Sequence, residues 1–366
     1  MGEQPAVRSL VEKPHAFLTL DALRGVAAIA VMAFHYRRGL GRNSFPEGYL
    51  AVDFFFMLSG FVLAYAYQPK LDAGWPTVSF LKVRVARLYP LYLLGLTLGL
   101  AHRIIFLHGA FSRRDTAISL VLGLLVLPGI HIADGMFPLN SPAWSLFFEY
   151  IANLLHAVFM RRRSQLFLGL VVLVSAVVLL SVIVHTGSID TGAKRREYLS
   201  LPRIIFPYAL GMLLFRVWKS GRLRIPNASL VACALLIAPM AVLLQPQHHA
   251  VFELGVTMIL FPIVLLLGAA SHAPRQFAQA FRLLGEASYA IYILHLPVYQ
   301  LYGALWERLR GRPLEYNAPW ATLACMVFTI AFALLADRLY DRKCRAVLRS
   351  WLMERQPAPL NVASQV

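Results

Sequence analysis

The chain has 366 residues, 58% hydrophobic and 14% charged, with a formal net charge of +17. Such apolarity excludes an ordinary soluble globular protein. Lys and Arg are dispersed between apolar runs, which argues against a nucleic-acid partner and for topology signal and contact with membrane lipid headgroups.

Apolar stretches long enough to cross a bilayer recur at 18–36, 49–67, 88–107, 142–160, 166–185, 201–218, 228–244, 251–270, 287–305 and 320–339. The predicted fold class is therefore all-α: a polytopic membrane helix bundle of about ten transmembrane helices, with one candidate re-entrant segment at 117–130. Residues 1–17 read as a cytoplasmic tail, 18–340 as the membrane domain, and 341–366 as a basic and then disordered cytoplasmic tail. If 117–130 does not cross, the basic loops around Arg161 to Arg163, Lys219 to Arg224 and Arg275 fall on the side of the N-terminus, which the positive-inside rule makes cytoplasmic. The basic "AKRR" at 193–196 runs against that assignment. No cleavage site follows the first run, so it is expected to stay as a span. Cys233, Cys325 and Cys344 are too scattered for a disulfide framework or a metal cluster, and no metal ligand is assigned.

In the first span, Arg24 and His35 are eleven positions apart, about three helical turns, so they share one face roughly 16 Å apart. Ala28 and Met32 complete that line. Arg24 snorkelling or pairing with Asp21, and His35 resting at the outer interface, is the plainer reading. The second span opens with Asp53, a carboxylate that needs a cation or several donors, and contains Ser59 and Gly60, small enough for another backbone to approach. At the start of the third, Arg84 and Arg87 lie one turn apart beside Lys82, suited either to clamp phosphate groups or to anchor the helix.

The span at 142–160 carries Ser145, Glu149, Asn153 and His156 on roughly one face, with Pro142 at its start. Glu149 reads most simply as the partner of a buried arginine or histidine, and a catalytic role is the alternative. The span at 287–305 places Ser288, Tyr292, His295 and Tyr299 on one face, with Pro297 expected to loosen the helix beside His295.

Five segments, "LDALRGVAAIAVMAFH", "AVDFFFMLSGFVL", "FLKVRVARLYPLY", "SPAWSLFFEY" and "LGEASYAIYILHLPV", in this order, resemble the membrane-bound acyltransferase 3 family. The resemblance runs from Leu18 to the last span. It implies transfer of an acyl group, commonly acetyl from acetyl-CoA, to a hydroxyl of a sugar, exopolysaccharide, glycolipid or similar acceptor, in a bacterial inner membrane. By that resemblance Arg24 and His35 match the first-span pair, Arg84 and Arg87 the arginine pair, and Asp53, Phe55, Phe56, Ser59 and Gly60 the second-span motif. The serine-esterase-like domain that some members add is not expected here.

The mechanism these readings predict has acyl-CoA as co-substrate, with no bound cofactor, its phosphates near Arg84, Arg87 and Arg24. His35 is then the general base or a transient acyl carrier. Asp53 or Glu149 orients it, the two being indistinguishable at this level. Ser59, Tyr292 and His295 are assigned to substrate binding. A proton-coupled secondary transporter also fits intramembrane Asp, Glu, Arg and His, although neither a repeat nor paired broken helices are evident. A non-catalytic subunit that flips or holds an envelope lipid is a third reading, under which those faces tolerate substitution.

Overall fold

In the apolar interior of a bilayer every backbone N–H and C=O must be satisfied within the segment, which makes helices of the apolar runs. The computed structural model describes residues 17–41, 44–107, 109–129, 135–190, 200–221, 228–244 and 250–353. Residues 1–16 of the predicted N-terminal tail, the "AKRR" motif, residues 222–224 of the 219–224 basic loop and the terminal tail from 354 lie outside the described residues. Each of the ten predicted spans is a helix: α1 Leu18–His35, α2 Gly48–Asp72, α3 Thr77–Ile105, α5 Ala143–Met160, α6 Gln165–Thr186, α7 Ser200–Lys219, α8 Ala228–Leu243, α9 Ala250–Ala270, α10 Ala278–Arg310 and α11 Trp320–Ala336. Among the described residues eight helices are long and apolar enough to cross a membrane; α8 is shorter, and the more polar α10 is not one of them.

Between α3 and α5, α4 covers only Arg113–Leu124. Twelve residues rise about 18 Å, too little to cross the hydrocarbon layer. Ser112 caps it, accepting from the Asp115 amide at 3.0 Å, and Leu127 N–H returns to the Leu122 carbonyl at 2.9 Å to close it. At the other end of the chain, α11 continues through a wide turn, Asp337–Asp341, into α12, Arg342–Met353.

Two close helix pairs set the frame. α1 lies on α10, with Gly25 facing Leu284 and Gly285 facing Asp21. α2 lies on α7 through Gly60 and Gly211, where a Cβ at either position would run into the backbone of Tyr208 or Met57. Small residues at such crossings let helices approach where hydrophobic driving force is absent. The approach that Ser59 and Gly60 suggested therefore comes from α7.

Pro297 does not interrupt α10, which runs 33 residues through it. A proline at 297 cannot supply an N–H to the Ile293 carbonyl one turn earlier. Asn140 does so instead, its Nδ2 donating to Ile293 O at 3.2 Å. Asn140→Leu should leave that buried carbonyl unpaired, lowering stability by about 1–3 kcal/mol. A thermal unfolding midpoint equal to wild type would show that the carbonyl finds another partner.

Candidate active site

Helices α1, α2, α3, α5 and α10 enclose a cavity of about 230 Å³. It follows α2 from Val52 to Tyr67, a stretch about 22 Å long at 1.5 Å per residue. Arg24, Arg84, Arg87 and Tyr67 line one end, Phe55, Ser59 and Glu149 the middle, and Val52, Ser145, Tyr292 and Ile293 the other end. Mostly apolar walls with a few placed polar groups are the usual form of a small-molecule site.

The three arginines are not equivalent. Arg24 donates through Nε to Ser288 Oγ at 2.7 Å and through Nη2 to the Gly285 carbonyl at 2.8 Å, and it pairs with Asp21 at 3.2 Å. Arg84 is ion-paired with Glu149, whose Oε1 also lies 3.5 Å from Ser59 Oγ. Arg87 is exposed on the cavity wall and, among the described residues, makes no hydrogen bond or ion pair. The expected two-arginine clamp is thus divided: Arg84 is held by Glu149, and Arg87 keeps all five of its donors for a ligand.

Beyond the inner end of the cavity, α1 and α10 bring His35 and His295 together, with His295 Nε2 3.1 Å from His35 Nδ1. His295 Nδ1 lies 2.6 Å from the Tyr292 carbonyl, which can only accept, so that nitrogen carries a proton. In the neutral ring Nε2 is then an acceptor. His35 Nδ1 faces two acceptors, His295 Nε2 and the Val31 carbonyl at 2.9 Å, so it carries the proton as well. His35 Nε2 is then the nitrogen with the lone pair, and among the described residues it has no hydrogen-bond partner. The predicted common face of Arg24 and His35 is real, since both side chains engage α10.

The sequence reading placed a carboxylate behind His35, and the packing corrects it. Asp53, fully buried, takes Arg203 of α7 at both oxygens, at 3.0 Å to Oδ1 and 2.8 Å to Oδ2. Arg203 also donates to the Tyr49 carbonyl at 3.2 Å and lies over the Tyr49 and Trp144 rings. Glu149 holds Arg84, as its structural reading anticipated. His295 lies against His35, at the position expected of the carboxylate, and Tyr292 bonds Ser145 at 2.7 Å on the cavity wall. Neither His35 nor His295 lines the cavity itself.

Two buried polar residues that position the helices, Arg203 and Asn140, are absent from the sequence-based candidates. Arg203 was recoverable, because an arginine inside an apolar run demands a carboxylate and Asp53 was the unpaired one. Asn140 lies outside the runs and gave no such signal.

A model of an acyltransferase domain matches residues 17–338, nearly the whole chain. The chain belongs to the acyltransferase 3 family. It is 44% identical over 181 residues to "Protein 2 in picA locus" of Rhizobium radiobacter, covering 46% of this chain and 94% of that protein. It is 26% identical over 367 residues to "Acyltransferase MdmB" of Streptomyces mycarofaciens, covering 87% of each. To "O-acetyltransferase OatA" of Staphylococcus aureus it is 24% identical over 318 residues, 76% of this chain and 50% of that protein. No solved structure matches it. The acyltransferase 3 assignment makes the protein a multi-pass membrane acyltransferase, and the transporter reading gives way to it.

Proposed function

We propose that this protein moves an acyl group, acetyl in the first instance, from cytoplasmic acyl-CoA to a hydroxyl of a sugar, exopolysaccharide, glycolipid or similar acceptor at a bacterial inner membrane. The observation that carries this reading is the His35–His295 pair, just beyond the inner end of a slot whose other end is arginine-lined. With both termini cytoplasmic, that arginine-lined end faces the compartment that holds acyl-CoA.

The anionic phosphates of CoA meet Arg87, and the pantetheine arm follows the apolar wall of α2 inward. Arg24 and Arg84 add positive field while remaining tied to Ser288 and Glu149. At the inner end, His35 Nε2 takes the proton of the acceptor hydroxyl as its oxygen attacks the thioester carbon. Collapse forms the ester and expels the CoA thiolate, which recovers the proton from His35. His295 holds the imidazole in place throughout, the task a carboxylate performs in a hydrolase triad.

Arg87→Ala should raise the KM for acetyl-CoA about 10- to 100-fold at little cost to kcat, the size of a lost charge-assisted hydrogen bond. An unchanged KM would take the phosphates away from Arg87. The function itself is tested by transfer of radiolabel from acetyl-CoA to a mixed pool of envelope glycans in membranes with and without the protein. Protein-dependent label in the glycan fraction supports it. Absence of label with acetyl-, propionyl- and succinyl-CoA, beside a working control enzyme, counts against it.

A further inference from the structure

At the inner end of the cavity two hydroxyls are hydrogen-bonded to each other. Ser145, in the first turn of α5, and Tyr292, on α10, are both buried, both on the cavity wall, and 2.7 Å apart. Ser145 Oγ also donates to the Pro142 carbonyl at 3.1 Å, which leaves Tyr292 to donate to Ser145. The Tyr292 ring is held edge-on by Phe55, with centroids 5.3 Å apart, and stands beside the His295 ring at 6.1 Å. These are the last polar groups that a ligand in the slot meets before the histidine pair.

An acyl thioester entering that end must place its carbonyl oxygen somewhere. The inner wall is otherwise apolar, formed by Val52, Leu146 and Ile293. A buried carbonyl oxygen needs a donor, and an oxyanion needs it more strongly. Positive character reinforces the spot: Ser145 sits at the N-terminal end of a helix, and Arg203 lies over the ring of Trp144, the residue before it.

We propose that the Tyr292 and Ser145 hydroxyls bind the thioester carbonyl oxygen and stabilise the oxyanion formed on it during transfer. The inference rests on the acyl-CoA reading given above. In the step, the acceptor oxygen forms its bond to the carbonyl carbon as His35 Nε2 takes its proton, and the carbonyl π pair moves onto oxygen. Tyr292 turns its O–H from Ser145 to that oxygen, and Ser145 turns from Pro142. Return of the pair expels the CoA thiolate, which takes the proton from His35, and both hydroxyls resume their mutual bond. The same pair accounts for the position of Tyr292 three residues before His295, since one helical turn of α10 then carries the oxyanion donor and the partner of the base.

The test uses purified full-length protein in nanodiscs, wild type beside Tyr292→Phe and Ser145→Ala, with acetyl-CoA as donor and the glycan pool as acceptor. Loss of one oxyanion donor costs about 10²- to 10³-fold in kcat. Each variant should fall by that order, with the donor KM raised no more than about tenfold, because the hydroxyls hold the oxyanion more strongly than the ground-state carbonyl. A second readout needs no turnover: binding of a methyl-ketone analogue in which carbon replaces the thioester sulfur, against the same chain reduced to hydrocarbon. Wild type should bind the ketone about tenfold more tightly, and Tyr292→Phe should lose most of that preference. Thiol release by wild type with both variants at wild-type kcat would overturn the proposal and leave the acyltransferase reading standing. No thiol release by wild type, with neither analogue bound, would overturn both. Should Tyr292→Phe fail to fold, the same comparisons on Ser145→Ala decide.

Discussion

Replacing Arg203 by leucine should cost the folded bundle about 3–5 kcal/mol, because it leaves a buried carboxylate without its cation. Asp53 and Arg203 are both almost completely enclosed, and their ion pair joins the start of α2 to α7. Next to it, Glu253 of α9 accepts from Tyr49 at 2.5 Å, from Ser188 at 2.9 Å and from the Ile189 amide at 2.6 Å. These contacts tie α2, α7, α9 and the chain after α6 at the end of the bundle where Phe34 packs between Tyr49 and His35. Arg203→Leu is therefore expected to lose its monodisperse peak on size-exclusion in detergent. The double variant Asp53→Asn with Arg203→Leu should recover a substantial part of it, since no unpaired charge remains. A single variant as stable as wild type would show that water or lipid headgroups reach Asp53.

The second large effect falls on rate and not on folding. His35→Ala should lower kcat about 10²- to 10⁴-fold, the usual contribution of a positioned general base. The ring is partly exposed and its Nε2 makes no hydrogen bond among the described residues, so the variant should express and unfold like wild type. His295→Ala removes the acceptor on His35 Nδ1 but leaves the Val31 carbonyl, which still holds the tautomer. Its loss of kcat should be smaller than that of His35→Ala, and adding it to His35→Ala should cost little more, because residues acting as a unit are not additive. Equal and additive losses would mean that the two imidazoles work independently.

Much of this site was legible because ionisable groups inside apolar runs are rare enough to stand out singly. Arg24, His35, Asp53, Glu149 and His295 were each visible on that ground, and the helical period correctly turned Arg24 with His35, and Ser288 with His295, toward a common neighbour. What the period does not carry is the identity of that neighbour. His35 and His295 are 260 positions apart, and Asp53 and Arg203 are 150 apart. Their pairing is decided by the glycine crossings of α1 on α10 and α2 on α7, where a missing side chain matters more than any motif. Arg84 and Arg87 look alike in sequence and differ in the fold because Glu149 reaches only one of them. The short α4 was likewise ambiguous as an apolar run, and became clear only once its twelve helical residues were bounded by the Ser112 cap.

The most direct test of the account is release of free CoA thiol from acetyl-CoA by purified protein in nanodiscs, with and without the glycan pool, wild type beside His35→Ala at matched folded concentration. Acceptor-stimulated release by wild type, reduced at least about 10²-fold in the variant, is the predicted result. Equal release by the two proteins would contradict the assignment of His35 as the base and, with it, the chemistry built on the His35–His295 pair.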